Sequence, residues 1–98
     1  MIAPLLQWFR RVWMIGIGGS GMAGIAELLI SMKFNVAGSD LTKSEATERL
    51  IRLGAMIQIG HDAEKVRDHD VVIYSNAVHD DNVELRAAVN LKIPIIPR

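Results

Sequence analysis

The segment VWMIGIGGSGMAGIAELL, residues 12–29, sets Gly16, Gly18, Gly19, Gly21 and Gly24 between an apolar run and a stretch of helical spacing. Glycine loses more backbone freedom on folding than any other residue, so such a cluster marks a tight turn or a close backbone approach. Val12 to Ile17 reads as a short buried strand. Met22, Ile25, Ala26, Leu29 and Met32 recur at helical spacing, so residues 20–32 read as a helix with one apolar face. Gly16, Gly18 and Gly21 therefore match G-x-G-x-x-G in the context the motif needs, a strand before and a helix after.

The rest of the chain repeats the alternation. Residues 34–40 read as a second strand, 55–59 as a third, 70–76 as a fourth and 93–97 as a fifth, with Pro94 suited to a sheet edge. A helix between the second and third strands would start at a Thr42–Glu45 capping box, bury Ala46, Leu50 and Leu53, and end at Gly54 in a left-handed conformation. Residues 60–69 read as a loop holding one helical turn. The last helix would be capped at Asp81, with Glu84 at box spacing and Val83, Ala87, Ala88 and Leu91 inward. The predicted fold is α/β: a five-stranded parallel, Rossmann-like sheet with helices on both faces over residues 12–98. Residues 1–11, MIAPLLQWFRR, read as an N-terminal extension. Their charges follow the apolar run, unlike a secretory signal, and the run is too short to span a bilayer.

Composition narrows the function. Half of the 98 residues are hydrophobic, enough for one domain with a core. Formal net charge is zero, which argues against a broad basic face for nucleic acid. There is no cysteine, hence no disulfide, thiolate ligand or thiol nucleophile. No P-loop motif and no histidine–carboxylate set at metal-ligand spacing occurs, so no catalytic or metal-binding residues are assigned.

The glycines instead predict an anion seat. The first would turn the chain off the strand, the second would admit phosphates to the backbone, and the third would let helix pack on strand. Amides at the helix N-terminus and its dipole would receive the phosphates, with Ser20 adding a hydroxyl. A side chain at Gly18 would then occupy phosphate space. Asp40, at the end of the second strand, can accept from ribose hydroxyls. His61 and Ser75–Asn76 follow strand ends on the same side, whereas His69 and His79 read as ordinary loop histidines. Glu27 reads as a solvated or helix-packing charge, and Asp80 and Asp81 as capping residues. These residues alone do not separate a nicotinamide dinucleotide from a nucleotide-sugar.

The segments IGIGGSGMAGIAELL, GSD, ATERLIRLGA, IGHDAEKV, VVIYSNAVHDDNVEL and IPIIPR, in that order, resemble the N-terminal domain of UDP-N-acetylmuramate–L-alanine ligases of the Mur ligase family. The resemblance runs from Val12 to Arg98. It implies a bacterial, cytoplasmic enzyme of peptidoglycan synthesis, of which this chain is the UDP-N-acetylmuramate-binding part and not catalytic alone. An ATPase domain and a C-terminal domain, serving ATP, Mg2+ and L-alanine, would lie elsewhere in the full-length ligase. By position, Gly18, Gly19, Ser20 and Gly21 would hold the UDP diphosphate, and Asp40 and Leu41 would border the uridine with His61 close by. Ser75, Asn76 and Ala77 would line the same cleft. The chain departs from the family at Asn76, commonly Ser, and at Trp13, often His; the second change is expected to affect packing only. The alternatives are an NAD(P)-binding domain of an oxidoreductase or regulatory module, the related murein tripeptide ligase, and a domain serving assembly alone.

Overall fold

Alternation of side chains along the first strand decides the architecture. In the computed structural model, which describes residues 9–98, β1 (Arg11–Ile15) buries Val12 and Met14 on one face of a sheet and Trp13 and Ile15 on the other. A strand buried on both faces belongs at the centre of a parallel sheet. The order is β3–β2–β1–β4–β5, all parallel, with β2 at Asn35–Asp40, β3 at Met56–Ile59, β4 at Val71–Tyr74 and β5 at Ile95–Pro97. Trp13 is aligned with Ala37 on one side and Val72 on the other.

Helix α1 (Met22–Ser31) and helix α2 (Glu45–Arg52) cover the Val12–Met14 face, to which they contribute Met22, Ala26 and Leu50. A 3-10 turn (Ala63–Val66) and helix α3 (Val83–Asn90) cover the other face through Val66 and Ala88. The chain moves outward from β1 to β3 and then returns past β1 to β4. With right-handed crossovers, that reversal moves the connections to the opposite face. The predicted five-stranded doubly wound sheet is the observed one.

Boundaries shift by one to three residues, and two predicted caps are replaced. The expected extension falls mostly on residues 1–8, outside the described residues. Phe9 packs against the α1-side core and Arg11 already belongs to β1, so the sheet starts ahead of Val12. Helix α2 is capped by Ser44, not Thr42. Ser44 Oγ accepts from the Thr47 amide, and Thr47 Oγ1 accepts from the Ser44 amide at 2.8 Å. Thr47 rather than Leu53 accompanies Leu50 inward, and Leu53 is exposed. Gly54 has the expected positive φ, +114°. Helix α3 is capped by Asn82, whose Oδ1 accepts from the amides of Glu84 and Leu85, while Asp80 and Asp81 stay exposed. Val83 and Leu91 face outward, and the fully buried residues of α3 are Ala88 and Glu84. Glu27 pairs with Arg49 at 3.1 Å, tying α1 to α2.

Candidate functional site

A crevice opens where the sheet order reverses, beyond the carboxyl ends of β1 and β4, the usual ligand position in such sheets. It encloses about 350 Å³ and is lined on the glycine-loop side by Gly16 and Gly19, on the β2–β3 side by Asp40, Leu41 and His61, and on the β4 side by Ser75, Ala77 and Val78. The loop leading into α3 closes it with His79, Asp81 and Asn82. Six of the ten sequence-predicted residues therefore meet there. Gly18, Ser20, Gly21 and Asn76 are not among its walls.

The glycine loop is held by its own hydrogen bonds to a greater degree than the motif suggests. Amides of Gly16 and Ile17 both donate to the Ser39 carbonyl, at 2.8 and 3.0 Å. The Gly19 amide donates to the Gly16 carbonyl, and those of Met22 and Ala23 donate to Gly19. The Gly18 amide donates to Asp40 Oδ2 at 2.7 Å, while Asp40 Oδ1 accepts from Leu41 at 2.7 Å. Among the described residues, the amides of Ser20 and Gly21 have no acceptor. The anion seat thus narrows to those two groups at the start of α1, beside Gly19.

Each glycine of the motif has an identifiable neighbour. Gly16, at φ +79°, turns the chain off β1, as expected, and a Cβ there would lie 3.1 Å from Ser75 Cβ. At Gly18 the expectation changes. A Cβ would lie 2.7 Å from Thr47 Cγ2 and 2.8 Å from Asp40 Oδ2, so the bare Cα lets the loop dock on α2 rather than admitting phosphate. Gly21 caps α1 at φ +82° and lies against the Arg98 guanidinium, not against a strand. Asp40 accordingly latches the loop to β2, and each of its oxygens already accepts one amide. The Ser75 hydroxyl accepts from the Ala77 amide at 3.2 Å, so it shapes the turn after β4.

Behind the crevice lies a residue that spacing arguments read as part of a cap. Glu84 is fully buried. Its Oε1 accepts from Trp13 Nε1 at 3.0 Å and from Ser39 Oγ at 2.5 Å, and its Oε2 accepts from the Asp62 amide at 2.8 Å. His61 Nδ1 lies 3.1 Å from Ser39 Oγ and 3.4 Å from Glu84 Oε1. A buried carboxylate is tolerated when several donors surround it. The departure at Trp13 is thus more than packing, because its ring N–H is one of those donors. The available sequence signal was polar residues on three elements at one sheet level; without the register, nothing connects them.

A family model described as "Mur ligase family, catalytic domain" matches residues 11–98. The chain belongs to the Mur ligase family. A UDP-N-acetylmuramate–L-alanine ligase of Pelobacter propionicus is 54% identical over 91% of this chain, which covers 19% of that protein. The crystal structure of the UDP-N-acetylmuramate-alanine ligase of Thermotoga maritima matches with a TM-score of 0.86 and 38% identity, over 90% of this chain and 20% of that one. A UDP-N-acetylmuramate:L-alanyl-gamma-D-glutamyl-meso-diaminopimelate ligase from Neisseria meningitides matches with a TM-score of 0.82 and 28% identity, over 91% of this chain and 28% of the other. The chain spans about one fifth of the length of the curated Mur ligase it matches. No helix among the described residues is long and apolar enough to cross a membrane.

Proposed function

We propose that this Mur ligase chain is the UDP-N-acetylmuramate-binding part of a ligase that joins L-alanine to that nucleotide-sugar in bacterial peptidoglycan synthesis, in the cytoplasm. The crevice carries the reading. Two amides without acceptors, those of Ser20 and Gly21, directly follow the wall residue Gly19 at the positive end of a ten-residue helix, while Leu41 and His61 line the β2–β3 side. The diphosphate would lie on the Gly19–Ser20–Gly21 side, with Gly18 setting the loop's position. Uridine would lie against Asp40, Leu41 and His61, and Ser75, Asn76 and Ala77 would flank the path between.

In such a ligase the lactyl carboxylate would be activated by ATP and Mg2+ as an acyl phosphate, which the alanine amine then attacks. No P-loop lysine is present in these 98 residues, so ATP and alanine are assigned to the parts of the ligase that this chain does not cover. Identity to alanine-adding relatives at 54% favours this substrate over the tripeptide of the second ligase type, matched at 28%. Titration with UDP-N-acetylmuramate is expected to raise the melting temperature of the chain with the logarithm of ligand concentration once that exceeds Kd, while NADH leaves it unchanged. Stabilisation by NADH alone would reverse the assignment to the nicotinamide reading.

A further inference from the structure

The buried group that the proposed binding mode leaves unused is Glu84. It sits at the start of α3, on the far side of the sheet from the glycine-loop helix, yet it gathers hydrogen bonds from β1, from β2 and from the segment after β3. Hydrogen-bond bookkeeping fixes the direction of the chain of groups that leads from it to the crevice. Trp13 Nε1–H and the Asp62 amide can only donate, so both carboxylate oxygens act as acceptors. Glu84 as a carboxylate has no proton to give, so Ser39 Oγ, 2.5 Å from Oε1, gives its single proton to Glu84. A hydroxyl has one proton. Toward His61 Nδ1, 3.1 Å away, Ser39 can therefore only accept. The Nδ1 atom must carry the hydrogen. In the neutral ring that leaves Nε2 as a bare acceptor, and Nε2 has no partner among the described residues.

We propose that Glu84, acting through Ser39, is a positioning residue that locks His61 in the Nδ1–H tautomer and turns Nε2 into an acceptor for an N–H or O–H donor on the nucleoside end of the ligand. The proposal rests on the UDP-sugar reading of the crevice and adds the polarity of one contact within it. Charge around this end of the crevice favours a donor over a phosphate. Asp40 and Asp81 line it with His61, and the Glu84 carboxylate lies 3.4 Å behind the ring. The unpartnered amides that suit an anion belong to Ser20 and Gly21, which follow Gly19 on the glycine-loop side. Trp13 takes part as a second donor to the same oxygen, so the carboxylate stays in place while the serine proton is committed to it.

Nitrogen-15 NMR of the imidazole rings tests this in the 98-residue chain, with His61→Asn assigning the His61 signals. The expected result is an Nδ1–H, bare-Nε2 pattern for His61 in the free chain, lost on Ser39→Ala and on Glu84→Leu, which leaves the serine proton no acceptor there. Addition of uridine or UDP should move the Nε2 resonance toward a hydrogen-bonded value, and inorganic pyrophosphate should not. Ser39→Ala should also weaken UDP binding by about five- to tenfold, the loss of one oriented hydrogen bond. An Nε2–H tautomer in the free chain overturns the proposal, as does a tautomer that survives either substitution. So does a ring protonated on both nitrogens when UDP is bound, or an Nε2 signal that answers to pyrophosphate alone. A chain with the expected tautomer that binds no UDP or UDP-sugar defeats the ligand half of the proposal together with the UDP-sugar reading; a chain that binds UDP with Nε2 unmoved defeats that half alone.

Discussion

Single residues separate what the motif promises from what its glycines do. The spacing of Gly16, Gly18 and Gly21 locates the crevice, and it did so from the sequence. Which amides remain free was not legible, because it depends on Asp40 reaching back to Gly18 across the turn. Replacing Gly18 by Val is therefore expected to act first on stability. The new side chain would meet Thr47 and Asp40 at under 3 Å, and the strain should cost about 1–3 kcal/mol in urea unfolding. Loss of UDP binding would follow from displacement of the loop, not from an occupied phosphate site. Glu84 is the opposite case, a residue whose spacing suggested a cap and whose burial makes it structural. Glu84→Ala would leave the Trp13 N–H, the Ser39 hydroxyl and the Asp62 amide without their acceptor. Losing a buried acceptor shared by several donors should destabilise the chain by about 3 kcal/mol or more, read as a fall in the denaturant midpoint.

At the scale of elements, type and order were readable because each strand and helix carries its own period, and boundaries were not. The two misread caps share a cause. Thr42 and Asp81 each precede a residue with an equally good capping oxygen, Ser44 or Asn82, and the choice rests on where the sheet delivers the chain. Strand ends show the same dependence at Asp70, just ahead of β4. Its Oδ2 accepts from the amides of Arg10 and Arg11, at 2.7 and 2.8 Å, and so fixes the start of β1 against β4. Those bonds, that of Arg11 foremost and that of Arg10 next, hold the Asp70 carboxyl below its ordinary value of 3.8. A carboxyl depressed in the folded state adds stability above its unfolded pKa, and that stability disappears as pH falls through the folded one. Asp70→Ala should thus cost about 1 kcal/mol at neutral pH and progressively less below about pH 4. Melting temperatures of the two chains taken across pH 2–7 should converge at the acid end; a gap independent of pH would remove the ionised carboxylate from the register of β1.

For the whole molecule, the doubly wound order was legible because alternating strands and helices admit few right-handed arrangements. The side chains that meet across the sheet were not, since they come together only once register is set. The result is two apolar clusters, one under α1 and α2 and one under α3, that share the central strands: β4 gives Val71 to the first and Val72 to the second, as β1 gives each its own residues. Met14 belongs to the first and Ile15 to the second, and both are fully buried. Strands β1 and β4 each bury residues in both clusters, so together they should couple them into one unfolding unit. A domain of this size has a stability on the order of 5–15 kcal/mol. Met14→Ala should remove about 2–5 kcal/mol of it. Although Met14 faces α1 and α2, the loss should reach Trp13 on the opposite face without attenuation. In a chain carrying Trp8→Phe, so that Trp13 is the only indole, fluorescence and circular dichroism should report the same denaturant midpoint before and after Met14→Ala. Both should move together by the full amount. A fluorescence transition that stays in place while the circular dichroism midpoint falls would mean that the two faces of the sheet melt separately, with the central strands unable to carry packing energy from one to the other.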